Sequence, residues 1–185
     1  MRTFIALDFD RQTKKRLGKI QRKLKQNSSK GSWVYIDNFH ITLKFLGTTD
    51  SSRIDEIATE LQSIAHTNEE IKLSIDDLDY FRGENILRVV WLGLQGERQS
   101  ILDIKKDIDD KMNNLGFPKE KKDFIPHITL GRRVIFNNRI HSIKEQLKDD
   151  LNYNFTLKKL VLYKSEVKDK KRIYTQLKSF NLKKE

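Results

Sequence analysis

Two copies of one short phrase have the residue types needed for acid–base chemistry on a phosphate. His40-Ile41-Thr42-Leu43 and His127-Ile128-Thr129-Leu130 stand 87 residues apart in a chain of 185. An imidazole changes charge near neutral pH, so it can give or take a proton. A threonine hydroxyl beside it can donate a hydrogen bond to an anion. Polar and apolar residues alternate in each phrase, and the apolar ones are β-branched or Leu, which predicts a strand. Strand side chains two apart share a face. His40 and Thr42 therefore point one way, while Ile41, Leu43 and Phe45 point toward a core. His127 and Thr129 repeat the arrangement, with Ile128 and Leu130 behind them. Facing each other, the two pairs supply an acid, a base and two donors around one phosphate.

A single His-x-Thr on a strand is usually a half-exposed surface pair. Duplication changes the odds, because chance recurrence of the phrase after another His is on the order of one in a thousand at ordinary composition. Core packing would preserve the apolar positions of a structural repeat rather than its His and Thr. The cation nearest the second phrase is Arg132, whose fork suits phosphate oxygens. Strict alternation puts Arg132 on the wrong face, so a bulge at Gly131 or chain curvature is required. Lys44 lies on the His40 face by alternation and is the second candidate. The other histidines, His66 and His141, have no partners at useful spacing and read as surface residues.

The elements that must position these residues recur with the same offset. A strand Arg2–Phe9 leads to a helix capped by Asp10 with Leu17, Ile20 and Leu24 on one face. A polar loop, Asn27 to Gly31, precedes the first motif strand, which ends at Gly47. A second helix spans Ser51 to His66, with Ser51 or Ser52 as its cap. Ile71, Leu73 and Ile75 form the next strand, followed by a turn from Phe81 to Asn85 and a strand from Ile86 to Leu94. A helix carrying Ile101, Ile104, Ile108, Met112 and Leu115 closes at Gly116 and Pro118. After the second motif, Asn137 or Asn138 caps a helix through Leu151. Two strands, Phe155–Ser165 and Ile173–Leu182, finish the chain around a basic turn at Lys168 to Lys171. The repeat thus covers about 1–80 and 85–165, with a C-terminal strand at 172–182, in one domain of 1–185. A pseudo-twofold axis would bring the motif strands together across a cleft. Alternating strands and helices by themselves favour a parallel α/β sheet.

Composition narrows the classes. The chain is 37% hydrophobic and 34% charged, with no apolar run of membrane-spanning length, so no membrane association is expected. There is no signal-peptide pattern and no cysteine, which excludes disulfides and thiolate chemistry and makes the cytoplasm the default location. The formal charge of +11 favours polyanionic partners, since neutralising phosphates releases counterions. Its densest clusters are Lys14 to Lys25, Lys119 to Lys122 and Lys168 to Arg172. The first reads chiefly as a solvated helix face. No Gly-rich nucleotide fingerprint and no metal-ligand motif occurs, so neither cofactor nor metal is expected. Phe9, Trp33, Phe45, Tyr163 and Tyr174 are all available for base stacking, and the sequence does not choose among them.

The paired His-x-Thr-Leu resembles the signature of the 2H phosphoesterases, and within them the RNA 2′,3′-cyclic phosphodiesterases, also called 2′-5′ RNA ligase-like proteins. Arg2-Thr3-Phe4-Ile5-Ala6, Trp33, Phe45-Leu46-Gly47, Pro126, Arg132 and Leu162-Tyr163-Lys164-Ser165 with Tyr174 fit the same family. One departure is Gly131, where the family commonly carries Ala. The resemblance implies a bilobed α+β fold: two antiparallel sheets flanked by helices, with pseudo-twofold duplication and a central cleft. It also implies opening of an RNA-terminal 2′,3′-cyclic phosphate to a 2′-phosphate without a metal; a monomer is expected. In that scheme His40 is the proton donor and His127 the proton acceptor; the chemistry of the step itself gives Thr42 and Thr129 the task of stabilising charge and Arg132, with Lys44 second, that of binding substrate. Competing expectations are a 2′-5′ oligonucleotide or ADP-ribose cyclic phosphate hydrolase or ligase of the same superfamily, and a basic RNA-binding module without turnover. Retention of two histidines argues against the last, because binding alone would be served by Lys or Arg.

Overall fold

In the computed structural model, which describes residues 1–169 and 171–184, the described strands form two antiparallel sheets. The strands are β1 (Arg2–Asp8), β2 (Ser28–Trp33), β3 (His40–Thr48), β4 (Ile71–Arg82), β5 (Leu87–Gly96), β6 (Ile128–Phe136), β7 (Asn154–Leu157), β8 (Lys159–Lys168) and β9 (Lys171–Asn181). The helices are α1 (Arg11–Gln26), α2 (Ile54–Thr67), α3 (Arg98–Asn114) and α4 (Ile140–Leu151). One sheet runs β3-β1-β8-β9 and the other β2-β6-β5-β4-β7. Local alternation of strand and helix does not set strand direction; here every ladder within the sheets is antiparallel.

The two halves are laced together by an exchange. In the first half β1 pairs with its motif strand β3, and in the second β5 pairs with its motif strand β6. Strands then cross over: β4, after α2, joins β5, and in the second half the short β7 joins β4 while β8 joins β1. Each motif strand therefore sits in a sheet completed by the other half of the chain. Helices α2 and α3 pack beside β3, β8 and β9, while α1 and α4 pack beside β2 and β4. One core runs through both lobes, from Ile5, Leu7 and Ile41 to Leu92, Ile128 and Leu130. A separate small cluster, Phe4, Ala6, Val161 and Tyr163 with Tyr174 against it, covers the opposite face of β1 and β8.

Local signals explain most boundaries. Asp10 accepts from the Thr13 amide at 2.7 Å and starts α1, whose Leu17, Ile20 and Leu24 are fully buried. Each such side chain contributes about 1.5–3 kcal/mol. Gly116 at φ +84 lets the chain leave α3 in the left-handed region, so that the Phe117 amide bonds back to Met112. Three expectations need correction. Ser28–Trp33 is a strand, not a loop: it pairs with β6 as a polar, largely exposed sheet edge, which carries no alternation to read. Ser51 and Ser52 lie in a 3-10 turn, Ser51–Arg53, capped by Asp50, which accepts from the Ser52 amide; the cap position of α2 itself is Arg53, with no side-chain cap bond. At α4 the cap position is Arg139 rather than Asn137 or Asn138, with no side-chain cap bond. The basic turn after β8 includes Lys170, which lies outside the described residues. No helix among the described residues is long and apolar enough to cross a membrane.

Candidate active site

Matching irregularities shape both motif strands. In β3, Thr42 pairs with Ala6 and Lys44 with Ile5, so Leu43 is an extra residue. In β6, Thr129 pairs with Trp91 and Gly131 with Val90, so Leu130 is extra in the same way. A bulge of one residue reverses the alternation beyond it. Position five after each histidine is thereby brought back onto the His-Thr face. That position is Phe45 in the first motif and Arg132 in the second. Arg132 thus reaches the face that alternation alone denied it.

Lys44 goes the other way. It shares the core face with Ile5, its side chain is fully buried, and its ammonium bonds to Asp109 Oδ1 and the Pro118 carbonyl, both at 2.8 Å. The expectation that Lys44 binds substrate is therefore corrected: the bulge turns it into the core. Phe45 is corrected in the opposite sense, from core to a side chain 62% exposed beside Phe4.

Both imidazoles are held by the same device. His40 Nδ1 donates to the Asn38 carbonyl and His127 Nδ1 to the Ile125 carbonyl, each at 2.7 Å. A carbonyl only accepts, so both rings carry their proton on Nδ1 and keep Nε2 for chemistry. Nε2 of His40 lies 2.7 Å from Thr42 Oγ1, which donates to it when the ring is neutral. Aromatic rings seat each histidine. Phe4 lies 5.0 Å from His40 and Tyr174 meets it edge-on at 5.3 Å, while Trp91 lies 5.5 Å from His127 and Phe81 meets it edge-on at 5.8 Å. Asp8 pairs across the ladder with His40 and is itself held by Lys14 at 2.7 Å and by Gln176.

Electrostatics favour neutral rings before an anion arrives. Burial lowers the pKa of His40 to about 4, opposed by the bond to Asn38 and by Asp8, and reinforced by Lys14 and Arg132. Burial also lowers His127; the Ile125 bond opposes this and Arg132 adds to it. Burial raises Tyr174, offset by Arg172 and Arg132. Arg132 bears on both histidines and on Tyr174, which puts one fixed positive charge among them. An anion seated there cancels that charge and raises the proton affinity of both rings.

Of the aromatic residues available for stacking, Phe9 and Tyr163 are buried, whereas Phe45, Trp33 and Tyr174 are accessible and line the open surface. That Phe4, Asp8, Phe81 and Trp91 sit beside the histidines is not visible in the sequence. Cross-strand pairing supplies them, and pairing partners are not written in either strand alone. His66 and His141 are exposed, as read from the sequence. Gly131 has a packing role: a Cβ there would come within 2.7 Å of the Trp33 ring, which lies directly over it.

Residues 9–169 match the family model of the 2′-5′ RNA ligase superfamily. An RNA 2′,3′-cyclic phosphodiesterase of Methanocaldococcus jannaschii is 34% identical over 97% of this chain and 100% of its own. One from Thermotoga maritima is 31% identical over 80% of this chain and 78% of its own. Among solved structures, TT0787 of Thermus thermophilus superposes with a TM-score of 0.80 at 23% identity, covering 98% of both chains. E. coli LigT complexed with 3′-AMP gives 0.77 at 21% identity, over 98% of this chain and 97% of that one.

Proposed function

The chain belongs to the 2′-5′ RNA ligase superfamily, and from that premise we propose that it hydrolyses RNA-terminal 2′,3′-cyclic phosphates to 2′-phosphates, with His40 and His127 as acid and base. The observation that carries this reading is the shared setting of the two histidines, each fixed through Nδ1 by the carbonyl two residues earlier, with Nε2 left for the reaction.

The step balances with groups of the chain alone. Water attacks phosphorus in line with the 3′ oxygen; a new P–O bond forms as the P–O3′ bond breaks. His127 takes the proton from water, and His40 gives one to the departing 3′ oxygen. Arg132 and the Thr129 hydroxyl stabilise charge on the non-bridging oxygens. Thr42, bonded to His40 Nε2 in the free protein, is released toward the phosphate once that ring is protonated. Phe45, exposed beside Phe4, offers a face for the terminal base. Two neutral bases cannot catalyse this step, so one ring must gain a proton as the anionic substrate binds.

A pH dependence follows. Each limb of the kcat/KM profile reports a free-enzyme pKa. Both imidazoles are lowered, His40 to about 4, so the bell for kcat/KM is expected on the acid side of 6.5. With substrate bound, the anion raises both values and the kcat profile moves toward higher pH. A kcat/KM optimum above pH 7 would refute the electrostatic part of this reading.

The activity itself is tested on a short RNA ending in a 2′,3′-cyclic phosphate, with the product identified by 31P NMR. A 2′-phosphomonoester is the expected product. A 3′-phosphomonoester would place the acid at the wrong oxygen, and absence of hydrolysis would reject the reading.

A further inference from the structure

We propose that the basic groove between α1 and β9 binds the RNA strand on the 5′ side of the reactive end, so that the protein prefers oligonucleotides to mononucleotides. This rests on the phosphodiesterase reading above and adds a second subsite to it. A 2′,3′-cyclic phosphate ends its chain, so the strand leaves the site in one direction only, toward its 5′ end.

A groove of about 730 Å³ lies beside the site. It begins at Arg132 and Tyr174, which also border the smaller pocket around Phe4 and Phe45, and runs to Arg22 and Lys25 on α1. Among the described residues no Asp or Glu lines it, although the chain has 26 of them. Its five cations are Arg22, Lys25, Arg132, Lys171 and Arg172, and among the described residues none of them is in an ion pair with a carboxylate. Elsewhere on α1, Lys14 pairs with Asp8 and both Arg16 and Lys23 pair with Asp150, while Arg11, Lys15 and Lys19 are exposed to solvent. Arg22 and Lys25, also exposed, face the groove. A solvated helix face, the first reading of this cluster, does not account for the absence of acids from the groove.

The walls are fixed rather than loose. Gln21 is buried and donates through Nε2 to the Val34 and Leu130 carbonyls at 2.7 and 2.8 Å, tying α1 to the groove floor. Asn38 Nδ2 donates to the Arg172 carbonyl at 2.8 Å, tying the segment before His40 to β9. Trp33 lies over Gly131, and Tyr35 is exposed with the Lys171 ammonium 5.8 Å from its ring. Aromatic faces beside unpaired cations suit a single strand, whose bases stack while its phosphates are neutralised.

The test compares 2′,3′-cyclic AMP with a pentaribonucleotide ending in the same group, using the full chain and the Arg22→Glu/Lys25→Glu variant. Wild type is expected to favour the pentamer by about tenfold or more in kcat/KM at low salt, and the variant to lose most of that preference. Hydrolysis of 2′,3′-cyclic AMP should stay within about twofold, since neither side chain reaches the mononucleotide. In parallel, fluorescence anisotropy with a labelled pentamer ending in a 3′-phosphate reads the groove without turnover. There the variant should bind at least about tenfold more weakly, and its salt slope should fall by about 1.4, at roughly 0.7 per phosphate contact. Equal use of both substrates by wild type, or equal pentamer affinity in wild type and variant, would overturn the groove. Failure of hydrolysis with intact, charge-dependent pentamer binding would instead reject the phosphodiesterase reading and keep the groove.

Discussion

His40→Ala and His127→Ala are each expected to lower kcat on a cyclic-phosphate RNA end by about 10²–10⁴-fold, the range for removal of a positioned acid or base. The double variant should lose little more than the worse single one, because groups that act in one proton-transfer step are not additive. Both variants should fold. Each ring is half-buried at the head of its strand, and loss of its bond to a backbone carbonyl costs about 1 kcal/mol. Rate measurements on folded single and double variants decide the point. A histidine that proves dispensable, or losses that multiply, would mean that the two rings do not share one step.

The second large effect lies behind the site. Asp109 accepts from Lys44 at 2.8 Å and from Lys105 at 2.6 Å, while Lys44 also reaches the Pro118 carbonyl. Lys105 in turn lies 3.6 Å from Glu120. This cluster joins the first motif strand to α3 and to the segment that leads into His127. Asp109→Ala leaves the fully buried Lys44 ammonium without its counter-charge, which costs about 3–5 kcal/mol. Against a total of about 5–15 kcal/mol, that is a large part of the stability. Urea unfolding should show it as a lower midpoint, and replacing Lys44 by Met in the same variant should recover much of the loss. A change below about 1 kcal/mol would mean that the pair is solvated, in the manner of surface bridges.

The pH dependence of that cluster has a definite sign. Burial alone would raise the Asp109 carboxyl, but the bonds from Lys105 and Lys44 outweigh it and hold the group below its ordinary range. Its contribution is therefore present above the ordinary carboxylate range and is lost as pH falls through the lowered value.

The site was legible in the sequence to the extent that period-two alternation governs it. His40, Thr42, His127 and Thr129 share faces as alternation requires, and the helical stripes of α1 to α4 carry buried residues where the spacing put them. Beyond Leu43 and Leu130 that rule fails, because a bulge is a property of the paired ladder and leaves no mark in one strand's residue types. The failure inverted Lys44 and Phe45, and it is also what carries Arg132 to the histidines. The exchange of β4 and β8 between sheets was hidden because each strand's partner lies far along the chain, and the single strand expected over Phe155–Ser165 is two, β7 and β8, which pair in different sheets. The lowered histidines depend on burial and on Arg132, neither of which is a local quantity.

The central claim, that one histidine serves the leaving oxygen and the other the water, is tested most directly with sulfur in place of the 3′ bridging oxygen. A thiolate leaves without protonation, so only the acid becomes unnecessary. The measurement is the rate of 3′-thiol release by wild type, His40→Ala and His127→Ala, read with a thiol reagent. Substantial recovery of His40→Ala with no recovery of His127→Ala is the predicted result. Recovery of His127→Ala instead would exchange the two roles, and recovery of neither would contradict acid catalysis by this pair.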